Sequence, residues 1–138
     1  MSKKLPPELS KHNKYWISRH RYYELLHFCM QYPEWQKNRR TFDGYGKNYD
    51  SNTRVQNNIV ANPTEKNAIA RAYFADRINL VERIAKEADE LIADYILMGV
   101  TENITYPVLR ARYPIPCSSR TYYEAYRKFF WLLDKERC

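Results

Sequence analysis

The chain has 138 residues, the size of one ordinary domain. It carries 23 lysines and arginines against 16 aspartates and glutamates, a formal net charge of +7, and 44% of its residues are hydrophobic. This composition excludes wholesale disorder, and no stretch reaches the roughly 20 apolar residues that a membrane span needs. The basic N-terminus is not followed by the apolar segment of a secretory signal. We therefore expect a cytoplasmic protein with no membrane partner.

Few residues suit metal binding or catalysis. The three cysteines, Cys29, Cys117 and Cys138, lie far apart, and no CxxC pair exists, so we predict neither a metal nor another cofactor. Gly-rich phosphate loops and the HExxH and GxSxG motifs are absent as well. Cys29 lies near His27, but a cysteine on the apolar face of a helix is normally part of the core. We predict that the protein is not an enzyme.

The first part of the chain divides into a tail, a helical segment and a loop. Residues 1–17 read as a flexible basic tail, and residues 18–62 as an N-terminal helical segment followed by a polar loop. Ser18 is a plausible N-cap for the first helix, and Pro33 ends that helix. Residues 41–62 are rich in Asn, Asp, Gly, Ser and Thr, which is typical of a loop.

Aromatic and basic residues alternate in this helical segment. Such a pattern can stack nucleic-acid bases and follow a phosphate backbone. It also fits aromatic rings in a core with charges on the outer face, and we favour this second interpretation for Tyr22, Tyr23, Tyr32 and Trp35. Arg39 and Arg40, beside the predicted loop, are candidates for phosphate contacts.

Residues 63–138 contain the strongest helical pattern, and we expect them to form one compact unit with residues 18–40. Apolar residues at helical spacing predict a long helix from about residue 64, a break near Asp89 with Asp89 as the next N-cap, and a second helix that ends at Gly99. The long helix carries small residues that permit close helix approach, and they predict a homodimer: Ala68, Ala72, Ala75 and Ala85. The alternative is a monomer in which residues 18–31 cover that face.

The last forty residues complete the predicted fold. Thr105 is the expected N-cap of a short helix with Val108 and Leu109 on its apolar face, and Pro114 and Pro116 end this helix. Ser118 or Ser119 then caps a final helix with one apolar stripe, formed by Tyr122, Tyr126, Phe129, Phe130 and Leu133. The predicted fold class is all-α, with about five to six helices and a C-terminal helix-turn-helix.

A helix-turn-helix places the N-terminal side chains of its second helix in the major groove of double-stranded DNA. The stripe leaves basic and polar side chains outside, and those types bind phosphates and base edges. The predicted DNA-binding residues are Ser118, Ser119, Arg120, Tyr123, Arg127, Lys128, Arg110 and Arg112. Glu124 lies among them and pairs best with Lys128 one turn further on. The alternatives for this face are a protein-binding helix and ordinary solvated surface.

The C-terminal segment resembles small phage and prophage transcriptional regulators of the RinA/ArpU type, which are distantly similar to the fourth region of sigma factors. The matching residues are Ile115-Pro116-Cys117, Tyr122-Tyr123 and the run from Arg127 to Leu133. Glu124 departs from the pattern, because a basic or small residue suits a DNA-facing position better. The similarity extends over most of residues 18–136.

The resemblance implies a sequence-specific DNA-binding regulator of phage or prophage late genes that acts in a bacterial host cell. Host RNA polymerase is then a possible partner. Two alternatives stay open. One is a phage-encoded adaptor or inhibitor that binds a protein through the long helix. The other is a DNA-recognition protein like the small subunit of a packaging terminase. The position of the predicted recognition helix at the C-terminal end of the chain weighs slightly against this alternative.

Overall fold

The computed structural model of the chain describes residues 12–41 and 63–137, and it confirms the all-α class. The described ranges contain helices and no strand. The six helices are α1 (Arg19–Cys29), α2 (Tyr32–Arg40), α3 (Pro63–Ala88), α4 (Ala93–Glu102), α5 (Tyr106–Arg112) and α6 (Ser119–Glu136). Nearly all of the loop predicted for residues 41–62, and most of the predicted tail, lie outside the described residues.

Serine caps begin the first and last helices as their sequences predict. Ser18 accepts a hydrogen bond from the Arg21 amide, with 3.4 Å between Oγ and N. Ser118 accepts one from the Thr121 amide at 3.3 Å. Each serine satisfies one of the amide groups that the first turn of a helix leaves without an intrahelical partner.

The break after α3 is confirmed near Asp89, but two details of α4 were predicted wrongly. Asp89 Oδ1 accepts from the Leu91 amide at 3.0 Å and thereby forms the turn, while Ile92 is the N-cap of α4. The helix continues past Gly99 to Glu102. Asn103 ends it in the left-handed conformation, with φ 55°, which asparagine tolerates better than most residues.

The contacts divide the chain into two compact units. Unit 1 comprises Met1–Gln31 and Leu80–Cys138, and unit 2 comprises Tyr32–Asn79. Residues 32–40 therefore group with the first part of α3, whereas the sequence had suggested that they join the C-terminal helices. The apolar pattern of a short helix such as α2 shows that it has a buried face, but not which neighbour covers that face.

Unit 1 is built around α6. Helices α1, α4 and α5 each pack against α6, and α4 also packs against α1 and α5. The five stripe residues of α6 are all fully buried, as the sequence predicts. The other fully buried large side chains of unit 1 come from its remaining helices and the turn before α4: Tyr22, Leu25, Ile84, Ile92, Ile96 and Leu109.

Polar contacts join α1 to α6 both inside this core and at its edge. The hydroxyls of Tyr22 and Tyr126 are 2.8 Å apart and share a hydrogen bond. Arg21 pairs with the Asp134 carboxylate at 2.5 Å and also donates to the Arg137 carbonyl at 2.7 Å. The hydrogen bond to Asp134 raises the pKa of Arg21 despite some desolvation. These bonds fix where α1 crosses the last turns of α6.

In unit 2, two aromatic residues of α2 are buried. Tyr32 and Trp35 are 8% and 3% exposed, and their rings lie edge to face, 6.5 Å apart. With Tyr22 buried in unit 1, this confirms the core interpretation for three of the four N-terminal aromatics. Tyr23 is the exception, because it is 42% exposed on α1.

The small residues of α3 do not all share one exposed face. Ala68 and Ala72 are exposed and Ala75 is half-buried, but Ala85 is 1% exposed within the core of unit 1. Ala85 therefore cannot belong to a dimer contact, because the intramolecular core already covers it.

None of the helices in the described ranges combines the length and the apolar character needed to cross a membrane.

Candidate nucleic-acid interface

Helices α4, α5 and α6 follow one another and pack pairwise. The turn between α5 and α6 runs from residue 113 to residue 118. It is longer than the three or four residues usual in a helix-turn-helix. Pro114 and Pro116 account for the length, because each disfavours helical backbone in the residue before it.

Tyr106 fixes this turn from the first position of α5. Its hydroxyl donates to the Cys117 carbonyl at 2.6 Å, just before the N-cap of α6. Its amide donates to the hydroxyl of Tyr123 at 3.1 Å. The Thr105 side chain makes no capping bond, and Tyr123 satisfies the amide of the first residue of α5, one of the amides that a helix start leaves without an intrahelical partner. The start of α6 is thus held against α5 at two points.

The first turn of α6 presents its polar side chains to solvent. Ser119, Arg120 and Glu124 are exposed, and Arg120 and Glu124 lie on the side of the helix away from the buried stripe. Ser118 is exposed too, but its hydroxyl accepts the capping bond from Thr121 and also donates to the Thr121 hydroxyl at 3.3 Å. Arg120 is therefore the basic side chain with the most freedom at this end of α6.

Three predicted DNA-binding residues of α6 are less exposed than expected. Tyr123, Arg127 and Lys128 are each half-buried. Tyr123 and Arg127 directly follow the stripe residues Tyr122 and Tyr126, which puts them on the flank of the helix beside the core. The helical pattern identified the buried face correctly but not how far the neighbouring elements extend around it.

Arg127 shows the consequence of this position most clearly. Its Nε and Nη1 atoms are shielded from solvent and have no hydrogen-bond partner within the described part of the chain. Desolvation lowers the pKa of Arg127, and the charge of Glu124 opposes this change. A guanidinium held in this way keeps its charge at neutral pH but has lost part of its hydration shell. An incoming anion therefore displaces less water from it than from an exposed arginine.

The remaining predicted contacts lie on α5 and α2. Arg110 and Arg112 are exposed in the last turn of α5. Val108, expected on the apolar face, is 41% exposed, and Tyr106 takes its place in the core. In unit 2, Arg40 is exposed at the end of α2, while Arg39 is half-buried with its Nε shielded.

Residues 12–17 contribute to the α6 surface, which their sequence did not predict. The ring of Tyr15 packs edge to face on Trp131, with 5.3 Å between centroids, and Tyr15 borders a cleft that Glu124 and Lys128 also line. Ile17 is 6% exposed, so the last residues of the predicted tail, 15–17, are anchored. The apolar run at residues 15–17, directly before the Ser18 cap, was the available indication.

Glu124 and Lys128 do not form the predicted pair. They line the same cleft, but among the described residues no ion pair joins them. Lys128 is half-buried in this cleft, which Tyr15 also lines.

The described side chains offer little for catalysis or metal binding. Within residues 12–41 and 63–137, no group of three or more His, Cys, Asp and Glu residues is placed to hold a metal ion. Cys29 is fully buried, and desolvation raises the pKa of its thiol. Burial also raises the pKa of Cys117. Neither thiol has the lowered pKa of an activated nucleophile.

No protein-family model, curated protein or solved structure matches this chain.

Proposed function

We propose that the protein is a sequence-specific DNA-binding regulator that uses α6 as its recognition helix. The observation that carries the proposal is the first turn of α6. A fully buried aromatic stripe anchors the helix, Tyr106 holds its start against α5, and Ser119 and Arg120 stay exposed. A rigid helix end with exposed polar and basic side chains is what major-groove recognition requires.

Within this proposal the basic residues have different roles. Arg120 is the candidate for a contact to a base edge, because the residue is exposed and its guanidinium group can donate to guanine O6 and N7 at the same time. Arg127 is assigned to the phosphate backbone, since two of its N–H groups are shielded. Lys128, Arg110 and Arg112 are further phosphate contacts, and such contacts set affinity and orientation rather than sequence preference.

The test of the function is the salt dependence of binding to duplex DNA. We expect the purified chain to bind random duplex at low salt, with an affinity that falls steeply as salt rises, because binding releases counterions from the DNA. Selection from a pool of random duplexes is then expected to yield a preferred site, bound about 10³-fold or more tightly than random DNA. Absence of duplex binding at about 50 mM salt would contradict the proposal.

Arg120→Ala separates base recognition from general charge. On the selected site we expect a loss of about 1–3 kcal/mol of binding free energy and a relaxed preference at one base pair. The matched control is Lys86→Ala, which also removes one exposed positive charge but lies on α3. Equal weakening on all DNA sequences would instead assign Arg120 to the backbone.

The biological setting and the partners belong to the same proposal. The resemblance of residues 115–133 to phage regulators supports control of phage or prophage late genes in a bacterial cytoplasm, with host RNA polymerase as a possible partner. A homodimer would add a second recognition helix about one turn of DNA away. Sedimentation of the chain, alone and with one half-site duplex, tests the dimer.

A protein-binding adaptor is the second candidate, and one observation favours it. Ile69 and Tyr73 on the first part of α3 are 64% and 49% exposed, which is unusual for large apolar side chains on neighbouring turns. The Arg77 guanidinium stacks 3.7 Å from the centroid of the Tyr73 ring. An adaptor predicts no DNA binding at low salt, so the salt experiment separates the two candidates.

A further inference from the structure

We propose that Glu124 contacts a base edge in the major groove and selects cytosine, whose N4 amino group would donate to its carboxylate. This inference rests on the proposed function and deepens it, because it names a base that the α6 surface requires in its DNA site. A carboxylate is the least expected group on a surface that binds phosphates, so its position on the helix needs a physical reason.

Glu124 occupies the middle of the outward face of α6. At 3.6 residues per turn, its position lies within about 10° of the direction opposite the mean of the five buried stripe residues. Arg120, one turn earlier, and Lys128, one turn later, each lie about 40° to one side of that direction. A helix that packs its stripe on the protein and enters a groove by the opposite face therefore brings Glu124 closest to the bases.

The carboxylate of Glu124 is available for such a contact. The residue is exposed, and within residues 12–41 and 63–137 no ion pair or hydrogen bond engages its side chain. The pair with Lys128 that the sequence predicts is not formed, although both residues line the same cleft. The charge of Glu124 acts on Arg127 through space and not through a bond. Both carboxylate oxygens can therefore accept from a partner outside the chain.

Positive charges around Glu124 make a carboxylate tolerable against DNA. Three basic residues of α6 lie within about one turn of it: Arg120, Arg127 and Lys128. With Glu124, the side chains of this patch carry 3 − 1 = +2. The patch as a whole still attracts the phosphate backbone, so the single negative charge does not prevent docking.

The chemistry of the major groove decides which base suits this carboxylate. Cytosine presents the N4 amino donor, and adenine presents the N6 amino donor beside the N7 acceptor. Guanine and thymine present acceptors only, which repel a carboxylate and leave it desolvated without a hydrogen bond. Cytosine is therefore the best partner for Glu124, adenine is second, and guanine and thymine are the worst.

The spacing of Arg120 and Glu124 relates the two contacts to each other. Four residues of helix advance about 6 Å along its axis, and successive bases of one strand are about 3.4 Å apart. The base contacted by Glu124 therefore lies within about two base pairs of the guanine that Arg120 contacts. A site with guanine and cytosine at this separation is what the outward face of α6 requires.

The test is selection from a pool of random duplexes with the parent and two variants. At one position of the parent site we expect cytosine first, adenine second, and about fivefold or more weaker binding with thymine. Glu124→Gln is expected to change the preferred base at this position to adenine, because a carboxamide both accepts from N6 and donates to N7. Glu102→Gln, at the exposed end of α4, removes the same charge and is expected to keep the preference of the parent.

The possible results separate this inference from the proposed function. A change from cytosine to adenine with Glu124→Gln alone supports the role of Glu124. If Glu124→Gln binds every sequence more tightly by one factor with its preference unchanged, the carboxylate only repels DNA; this overturns the inference and leaves the proposed function intact. A parent chain that selects no sequence contradicts the proposed function itself, and the inference falls with it. Thermal unfolding of both variants is expected to match the parent, because both carboxylates are exposed.

Discussion

Phe130→Ala is expected to lower the free energy of unfolding by about 3–5 kcal/mol, a large part of the stability of an ordinary domain. Phe130 is fully buried, and its ring lies 5.0 Å from that of Tyr22 and 5.1 Å from that of Tyr126. Removing it leaves a cavity where α1 and α6 meet. Urea unfolding followed by far-UV circular dichroism measures the change.

Two further variants make this result specific. Phe130→Leu keeps most of the volume and is expected to lose less than about 1.5 kcal/mol. Lys135→Ala, on the exposed side of the same helix, is expected to change stability by less than about 0.5 kcal/mol. A Phe130→Ala protein as stable as the parent would mean that α6 does not dock through its stripe, and the proposed recognition helix would lose its support.

Gly99→Ala is expected to destabilise the protein although it replaces glycine inside a helix. A Cβ at position 99 would collide with the hydroxyl oxygen of Tyr122, which is fully buried and cannot swing aside. Overpacking of this kind costs about 1–3 kcal/mol, and it outweighs the roughly 1 kcal/mol that alanine gains in helix propensity. We expect a net loss of up to about 2 kcal/mol in the same urea experiment.

Tyr122→Phe provides the matched rescue. The Tyr122 hydroxyl is buried and finds no hydrogen-bond partner in the described part of the chain, so its removal leaves no donor or acceptor unsatisfied. In the Gly99→Ala/Tyr122→Phe double variant the colliding oxygen is gone and the helix-propensity gain remains. We expect this variant to be at least as stable as the parent. A double variant as unstable as Gly99→Ala alone would place the collision elsewhere.

The features that the sequence predicted correctly depend on neighbours within a few residues. Ser18 and Ser118 were recognisable as caps because capping involves only the next turn. The burial of Phe129 and Phe130 followed from helical spacing. The break near Asp89 followed from an acidic residue between two apolar helical patterns. The caps and the break depend on residues close together in the sequence, and the burial of the two phenylalanines follows from a periodicity that identifies the apolar face whatever packs on it.

The features that the sequence did not predict depend on residues far apart in the chain. Gly99 looked like a helix end, but glycine is needed there because Tyr122 approaches the helix closely. Arg127 looked exposed because a helical pattern does not show where the neighbouring element ends. Tyr15 looked like part of a tail because its partner, Trp131, is 116 residues away. None of these contacts leaves a periodic trace in the sequence.

The close approach of Tyr122 to Gly99 also has an evolutionary consequence. Two positions in different helices are sterically linked, so neither is free to drift on its own: tyrosine at 122 requires glycine at 99. A lineage that replaces Tyr122 with phenylalanine removes the obstacle and opens position 99 to alanine, whereas the reverse order passes through a weakened intermediate. Substitutions at these two sites should therefore co-vary among descendants of this chain, with the aromatic position changing first.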